Sequence, residues 1–215
     1  MREHWIKKTG APDLLLLVLG WAADEHIAEH VAPEGYDVLC TFDYRDLRPL
    51  EASLATPYRR VVLAAWSFGV WAAETICRNI PPDRAIALNG TPYPVDDRLG
   101  IPRRAMSVTL KGIRRSGTEA FERKTYAEHY ERIAARRPVR TNEELCDELS
   151  ALCERSAAPY TPRIGWDRAV VGLRDEIFPV PNMLACWGDK AVTADLPHYP
   201  FGDLPLFCDL LNPKP

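Results

Sequence analysis

The sequence has no long hydrophobic run. Its longest, Leu14 to Leu19, is one strand's worth of apolar residues, whereas a helix that crosses a bilayer needs roughly 20. A membrane span is therefore not expected. Met1 to Lys8 is polar and charged and lacks the apolar core and small-residue cleavage site of a secretory leader. The expectation is a soluble, cytoplasmic protein. The six cysteines (Cys40, Cys77, Cys146, Cys153, Cys186 and Cys208) form no Cys-x-x-Cys pair and have no histidine at metal-ligand spacing. They read as buried free thiols, with no metal and no cofactor implied. Nineteen prolines are scattered without forming a linker, and there is no internal repeat. A net charge of −3 lacks the basic excess of a nucleic-acid binder.

What remains is an ordinary globular composition, 47% hydrophobic and 27% charged over 215 residues. It suits a single domain, 1–215. Charge is unevenly spread. Between Arg103 and Arg140 stand eleven Lys or Arg against four Glu, a balance of +7 within a chain of −3.

Leu14 to Leu19, apolar at every position and ended by Gly20, has the pattern of a central strand buried on both faces. Tyr36 to Cys40, Val61 to Ala65, Arg84 to Leu88, Ala169 to Leu173 and Ala191 to Leu196 read as further strands. Helices are expected over Ala23 to Val31, Phe68 to Cys77 and Leu204 to Leu211. Strands alternating with helices predict a mostly parallel central sheet with helices on both faces. Residues 100–165 break the alternation with a helical composition. An insertion there, ahead of the strand over Ala169 to Leu173, lies beyond the carboxyl ends of the strands, where open α/β sheets bind ligands. It is a candidate lid.

The most informative segment is Val61-Val-Leu-Ala-Ala-Trp-Ser-Phe-Gly-Val-Trp-Ala-Ala73. A buried strand runs through Ser67 directly into a helix, with small residues at Ala65 and Gly69. This is the setting of a nucleophile elbow. It exposes the serine hydroxyl and sets the Phe68 backbone N–H at a helix N-terminus, ready to face a developing oxyanion. A serine N-cap on an ordinary helix would leave the same trace. A serine nucleophile needs a base, and the base an orienting group, in the chain order Ser, acid, His on such a fold. His4, His26 and His30 precede the serine and His129 lies in the insertion. His198 alone follows a late strand. Asp175 stands at the mouth of the Ala169–Leu173 strand and is preferred as the acid. Asp189 reads as a surface turn and Glu176 as pointing the other way. The second oxyanion donor is expected from the loop after the first central strand, as the Trp21 N–H, with its indole lining an acyl pocket or simply packing.

Four segments together resemble a known family: Leu17-Val-Leu-Gly-Trp21, Ala65-Trp-Ser-Phe-Gly-Val-Trp-Ala72, Leu88-Asn-Gly-Thr-Pro92 and His198-Tyr-Pro-Phe201. They are similar to the BioG-type pimeloyl-[acyl carrier protein] methyl ester esterases of biotin synthesis. Gly100-Ile-Pro102, Thr109-Leu110 and Asp175-Glu-Ile-Phe-Pro179 extend the likeness over nearly the whole chain. The stretch Phe121 to Arg140 departs from the pattern. The resemblance implies an α/β-hydrolase fold with a helical cap, hydrolysis of the methyl ester of a pimeloyl-acyl carrier protein, and a triad on Ser67, Asp175 and His198. An acidic carrier protein would give the +7 stretch a use, through Arg114, Arg115, Arg123 and Lys124. A solvated helix face is the plain alternative for those charges. A general short-chain carboxylesterase remains the alternative for the function, and a binding protein on a disabled hydrolase scaffold the alternative outside enzymes.

Overall fold

The computed structural model describes residues 1–135, 140–158 and 161–211. Six parallel strands and one antiparallel edge strand form a sheet in the order β1-β3-β2-β4-β5-β6-β7. The chain enters with β1 (Arg2–Lys7), antiparallel to β3 (Tyr36–Phe42). Between them run β2 (Asp13–Val18) and a short helix α1 (Glu25–Ala28). Then come β4 (Arg60–Trp66), helix α2 (Gly69–Ile76) and β5 (Arg84–Leu88). Every residue of β2 and β3 is buried. Alternate residues of β2 feed opposite layers: Leu14, Leu16 and Val18 pack in one core, Leu15 and Leu17 in the other. That two-faced burial is why the run is apolar throughout.

After β5, four α-helices intervene among the described residues before the sheet resumes: α3 (Arg103–Ser116), α4 (Glu119–Tyr126), α5 (Tyr130–Ala134) and α6 (Asn142–Ser156). Helix α6 opens on a capping box, in which Thr141 accepts from Glu144 N and Glu144 reaches back to Thr141 N. Helices α3 and α6 pack on each other. The chain then adds β6 (Arg168–Arg174), α7 (Val180–Trp187), β7 (Ala191–Pro197) and α8 (Leu204–Leu211).

The strands expected from the sequence are present within a residue or two of their predicted limits. Three features differ. The polar stretch at the start is a strand, β1: it is an edge, largely exposed, so it needs no apolar alternation. The helix expected over Ala23 to Val31 shrinks to α1, capped by Asp24, whose carboxylate accepts from His26 N. Helix α7 was not expected; Pro179 and Pro181 sit at its start, where a missing N–H costs nothing.

The topology locates the site. From β2 the chain moves outward to β3, then returns to the other side of β2 for β4. The carboxyl ends of β2 and β4 therefore flank a switch point, the crevice where open α/β sheets bind ligands. The loop after β2 begins at Leu19, and Ser67 follows β4 at once.

Candidate active site

Ser67 sits between the last residue of β4 and the first turn of α2 with φ +59, a left-handed conformation costing a non-glycine residue roughly 1–2 kcal/mol. Local bonds hold it there: Ser67 N donates to Leu88 O at 3.0 Å, and Val70 N to Ser67 O at 3.1 Å. Gly69 is required by the turn, since a Cβ there would lie 2.3 Å from Val18 O. Gly20 gives way similarly, its would-be Cβ 2.9 Å from that of Ser67. The loop after β2 thus rests directly on the serine.

His198 and Asp175 reach Ser67 from the segments that follow β7 and β6, parallel strands further along the same sheet. His198 Nε2 lies 3.0 Å from Ser67 Oγ, and His198 Nδ1 lies 2.8 Å from Asp175 Oδ2. The side chains of His198 and Asp175 are essentially shielded from solvent, at 1% and 0% exposure. An ionised carboxylate only accepts, so Nδ1 carries the proton and Nε2 turns its lone pair to the serine hydroxyl. The other Asp175 oxygen accepts from Ile177 N at 2.7 Å and Phe178 N at 2.9 Å. Both carboxylate oxygens are therefore fixed. Phe178 stacks on the imidazole at 5.9 Å, nearly parallel. Asp189 lies in the exposed turn Gly188–Lys190 after α7, apart from this relay.

Two residues that the sequence did not mark as functional set the position of His198. Trp66 donates its indole N–H to His198 O at 2.8 Å. Asn89, fully buried, donates through Nδ2 to Pro197 O at 2.8 Å and His198 O at 2.9 Å, and its Oδ1 accepts from Gly172 N at 2.6 Å. One amide thus clamps β6, which leads to Asp175, to the segment bearing His198. In the sequence, Leu88-Asn-Gly-Thr-Pro92 carries only the family resemblance; the left-handed backbone of its Asn (φ +42) leaves no trace in the residues.

Above the serine opens a cavity of about 810 Å³, in the range that holds drug-sized ligands. Trp21, Trp66, Ser67, Phe68 and His198 lie at its base, and α3, α4 and α6 contribute apolar wall residues including Met106, Ile113, Phe121 and Leu149. Arg104, Arg115 and Lys124 also line it. Of the four basic residues singled out in the sequence, Arg115 and Lys124 therefore reach the cavity. Arg114 instead donates to Ser150 Oγ, and Arg123 pairs with Glu119 and Glu131 and lies over the Tyr130 ring. Glu176, expected to point away from the acid's direction, lines the cavity as well. The Trp21 ring is buried, lies edge-on to Phe121 at 4.8 Å, and donates its N–H to Leu145 O. Among the described residues all six cysteines are free thiols, and burial pushes Cys40 and Cys77 up to about 12. No described helix is long and apolar enough to cross a membrane.

A serine on a strand–turn–helix elbow at the switch point of such a sheet is the architecture of an α/β-hydrolase. A thermophilic esterase from Thermogutta terrifontis has the same fold, with a TM-score of 0.63 over 96% of this chain and 89% of that one, at 18% identity. The crystal structure of BioG from Haemophilus influenzae aligns more closely: TM-score 0.81, 31% identity, covering 94% of this chain and 95% of that one. A Bacteroides fragilis protein named malonyl-[acyl-carrier protein] O-methyltransferase is 34% identical over 189 residues, 83% of this chain. This chain spans only 38% of the length of that relative. The family model described as "Pimeloyl-ACP methyl esterase BioG" matches residues 1–207. The chain belongs to the BioG family.

Proposed function

We propose that the protein is a serine esterase that hydrolyses the methyl ester of a pimeloyl-acyl carrier protein, with Ser67 as nucleophile, His198 as general base and acid, and Asp175 as the group that orients and charge-balances the imidazole. The observation that carries this reading is the continuous relay from Ser67 Oγ through His198 to Asp175 at 3.0 and 2.8 Å, set at the base of a large, mostly apolar cavity. Membership of the BioG family supplies the substrate class.

The steps follow from the geometry. Ser67 Oγ attacks the ester carbonyl while His198 Nε2 takes its proton. The Phe68 and Trp21 backbone N–H groups stabilise the tetrahedral oxyanion, each worth roughly 3–4 kcal/mol in such sites. The imidazolium then protonates the departing methoxide, which leaves as methanol, and the acyl group stays on Ser67. Water, deprotonated by His198, attacks the acyl-enzyme, and collapse of the second intermediate returns the proton to Ser67 and releases the free carboxylate. No step calls for a metal or cofactor.

Residues 100–165 act as the cap in this reading. Its helices supply the apolar walls for the acyl chain, and its positive charge faces an acidic carrier. Arg115 and Lys124 at the cavity are the basic residues best placed to meet the substrate arm; Arg114 and Arg123 belong to the outer, steering surface. The test is demethylation of pimeloyl-acyl carrier protein methyl ester by the parent and by Ser67→Ala. Product from the parent alone supports both nucleophile and substrate. Turnover of small esters only would leave a general short-chain carboxylesterase. A steep loss of carrier-substrate activity with salt, absent for a small ester, is expected if the basic surface steers the carrier.

A further inference from the structure

The loop after β2, Leu19 to Ala23, is gripped by helix α6 at several points far from it in sequence. The Trp21 indole N–H donates to Leu145 O at 2.9 Å. Arg140, just ahead of α6, donates to Ala23 O at 3.4 Å and to Glu148 Oε2 at 2.9 Å. Glu148, fully buried, uses its other oxygen to accept from Tyr44 N at 2.9 Å. The Tyr44 hydroxyl in turn donates to Leu19 O at 2.6 Å. Both ends and the middle of the loop are therefore tied, directly or through one residue, to one helix. The loop itself is strained, with Ala22 at φ +64, so it needs an external hold to keep that shape.

Burial pushes the Glu148 carboxyl above its usual range, while Arg140 and the Tyr44 N–H pull it down. Arg140 also faces the buried Asp43 carboxylate at 3.4 Å, and a buried ion cluster of this kind adds little stability over an apolar replacement. What it fixes here is the segment carrying the proposed Trp21 oxyanion donor.

We propose that the Trp21 side chain and the Arg140–Glu148 pair are positioning residues, through which α6 sets the place of the Trp21 backbone N–H over Ser67. The helix that walls the acyl cavity through Leu149 also completes the oxyanion hole. The inference rests on the serine-esterase reading. A displacement of an oxyanion donor of about 1 Å is enough to cost roughly a hundredfold in rate.

The test compares p-nitrophenyl butyrate hydrolysis and melting temperature in four proteins: wild type, Trp21→Phe, Arg140→Met with Glu148→Gln, and Tyr58→Phe. Trp21→Phe keeps an aromatic ring and removes the donor. The double variant removes both charges and leaves Tyr44 N an acceptor. Tyr58→Phe removes one hydrogen bond, to Asp37 at the amino end of β3, away from both α6 and the loop. The expected result is a loss of kcat of about ten- to a hundredfold in the first two variants with KM within about twofold. Tyr58→Phe should lower the melting temperature by about 2–4 °C and keep its kcat. Unchanged kcat in Trp21→Phe, a rise in KM alone, or losses of kcat that merely follow melting temperature across all variants would overturn the inference and leave the esterase reading standing. No turnover by the wild type would overturn both.

Discussion

Removing the Asn89 side chain should cost the fold several kcal/mol and activity besides. Asn89 is fully buried and its side chain makes three hydrogen bonds, to Pro197 O, His198 O and Gly172 N. Truncation leaves His198 O still bonded to the Trp66 indole, so two groups, Pro197 O and Gly172 N–H, are orphaned in the interior. At about 1–3 kcal/mol each, Asn89→Gly should lose about 2–6 kcal/mol. Asn89→Ala should lose about 1 kcal/mol more, because φ +42 is left-handed, open to glycine and tolerated by asparagine but strained for alanine. Urea unfolding of the three proteins measures both differences. Ester turnover at a temperature where all are folded should also fall at least tenfold, since the amide holds the His198 segment against the strand leading to Asp175. A loss of stability below 1 kcal/mol, or Asn89→Ala more stable than Asn89→Gly, would refute the reasoning.

Gly69→Ala should fail to form a working elbow, because its Cβ would lie 2.3 Å from Val18 O; soluble Gly69→Ala with normal turnover would contradict this. The Glu128 carboxyl is held down to about 2 chiefly by its hydrogen bonds with Arg174. Because its folded value lies below the usual 4.5, its contribution is present above that value and lost as pH falls through about 2. Its half-exposed side chain limits the effect to no more than about 0.5 kcal/mol, so Glu128→Gln should lower stability slightly at pH 7 and not at pH 2. Cys40 and Cys77, buried with thiols pushed up to about 12, should resist iodoacetamide at pH 8 until the protein unfolds, as mass spectrometry of labelled peptides would show.

Much of this architecture is written in local patterns. The all-apolar Leu14–Leu19 announces a strand buried on both faces, and the Ala65-x-Ser67-x-Gly69 turn between a strand and an apolar helix announces an elbow. Chain order then suffices to pick out Asp175 and His198, because each follows a strand that ends near the same crevice. What escaped the sequence depends on partners distant along the chain. Asn89 is one polar residue among many until Gly172 and Pro197 are brought to it. Arg140 and Glu148 look like surface charges in a charged stretch, yet the start of α6 turns both inward, against Ala23 and Tyr44. Strand β1 is held by main-chain pairing to β3 at an exposed edge and therefore carries no hydrophobic signature. The charged lining of the cavity is equally hidden: Arg104, Glu176 and Lys124 share it only because α3, α4 and the turn after β6 converge.

The central claim is that the Ser67–His198–Asp175 relay cleaves the methyl ester of a carrier-bound pimeloyl group. The most direct measurement is mass spectrometry of pimeloyl-acyl carrier protein methyl ester after incubation with the wild type and with Ser67→Ala. The account predicts loss of one methyl group with the wild type and none with the mutant. A substrate left methylated by the wild type, or demethylated equally by Ser67→Ala, would contradict it.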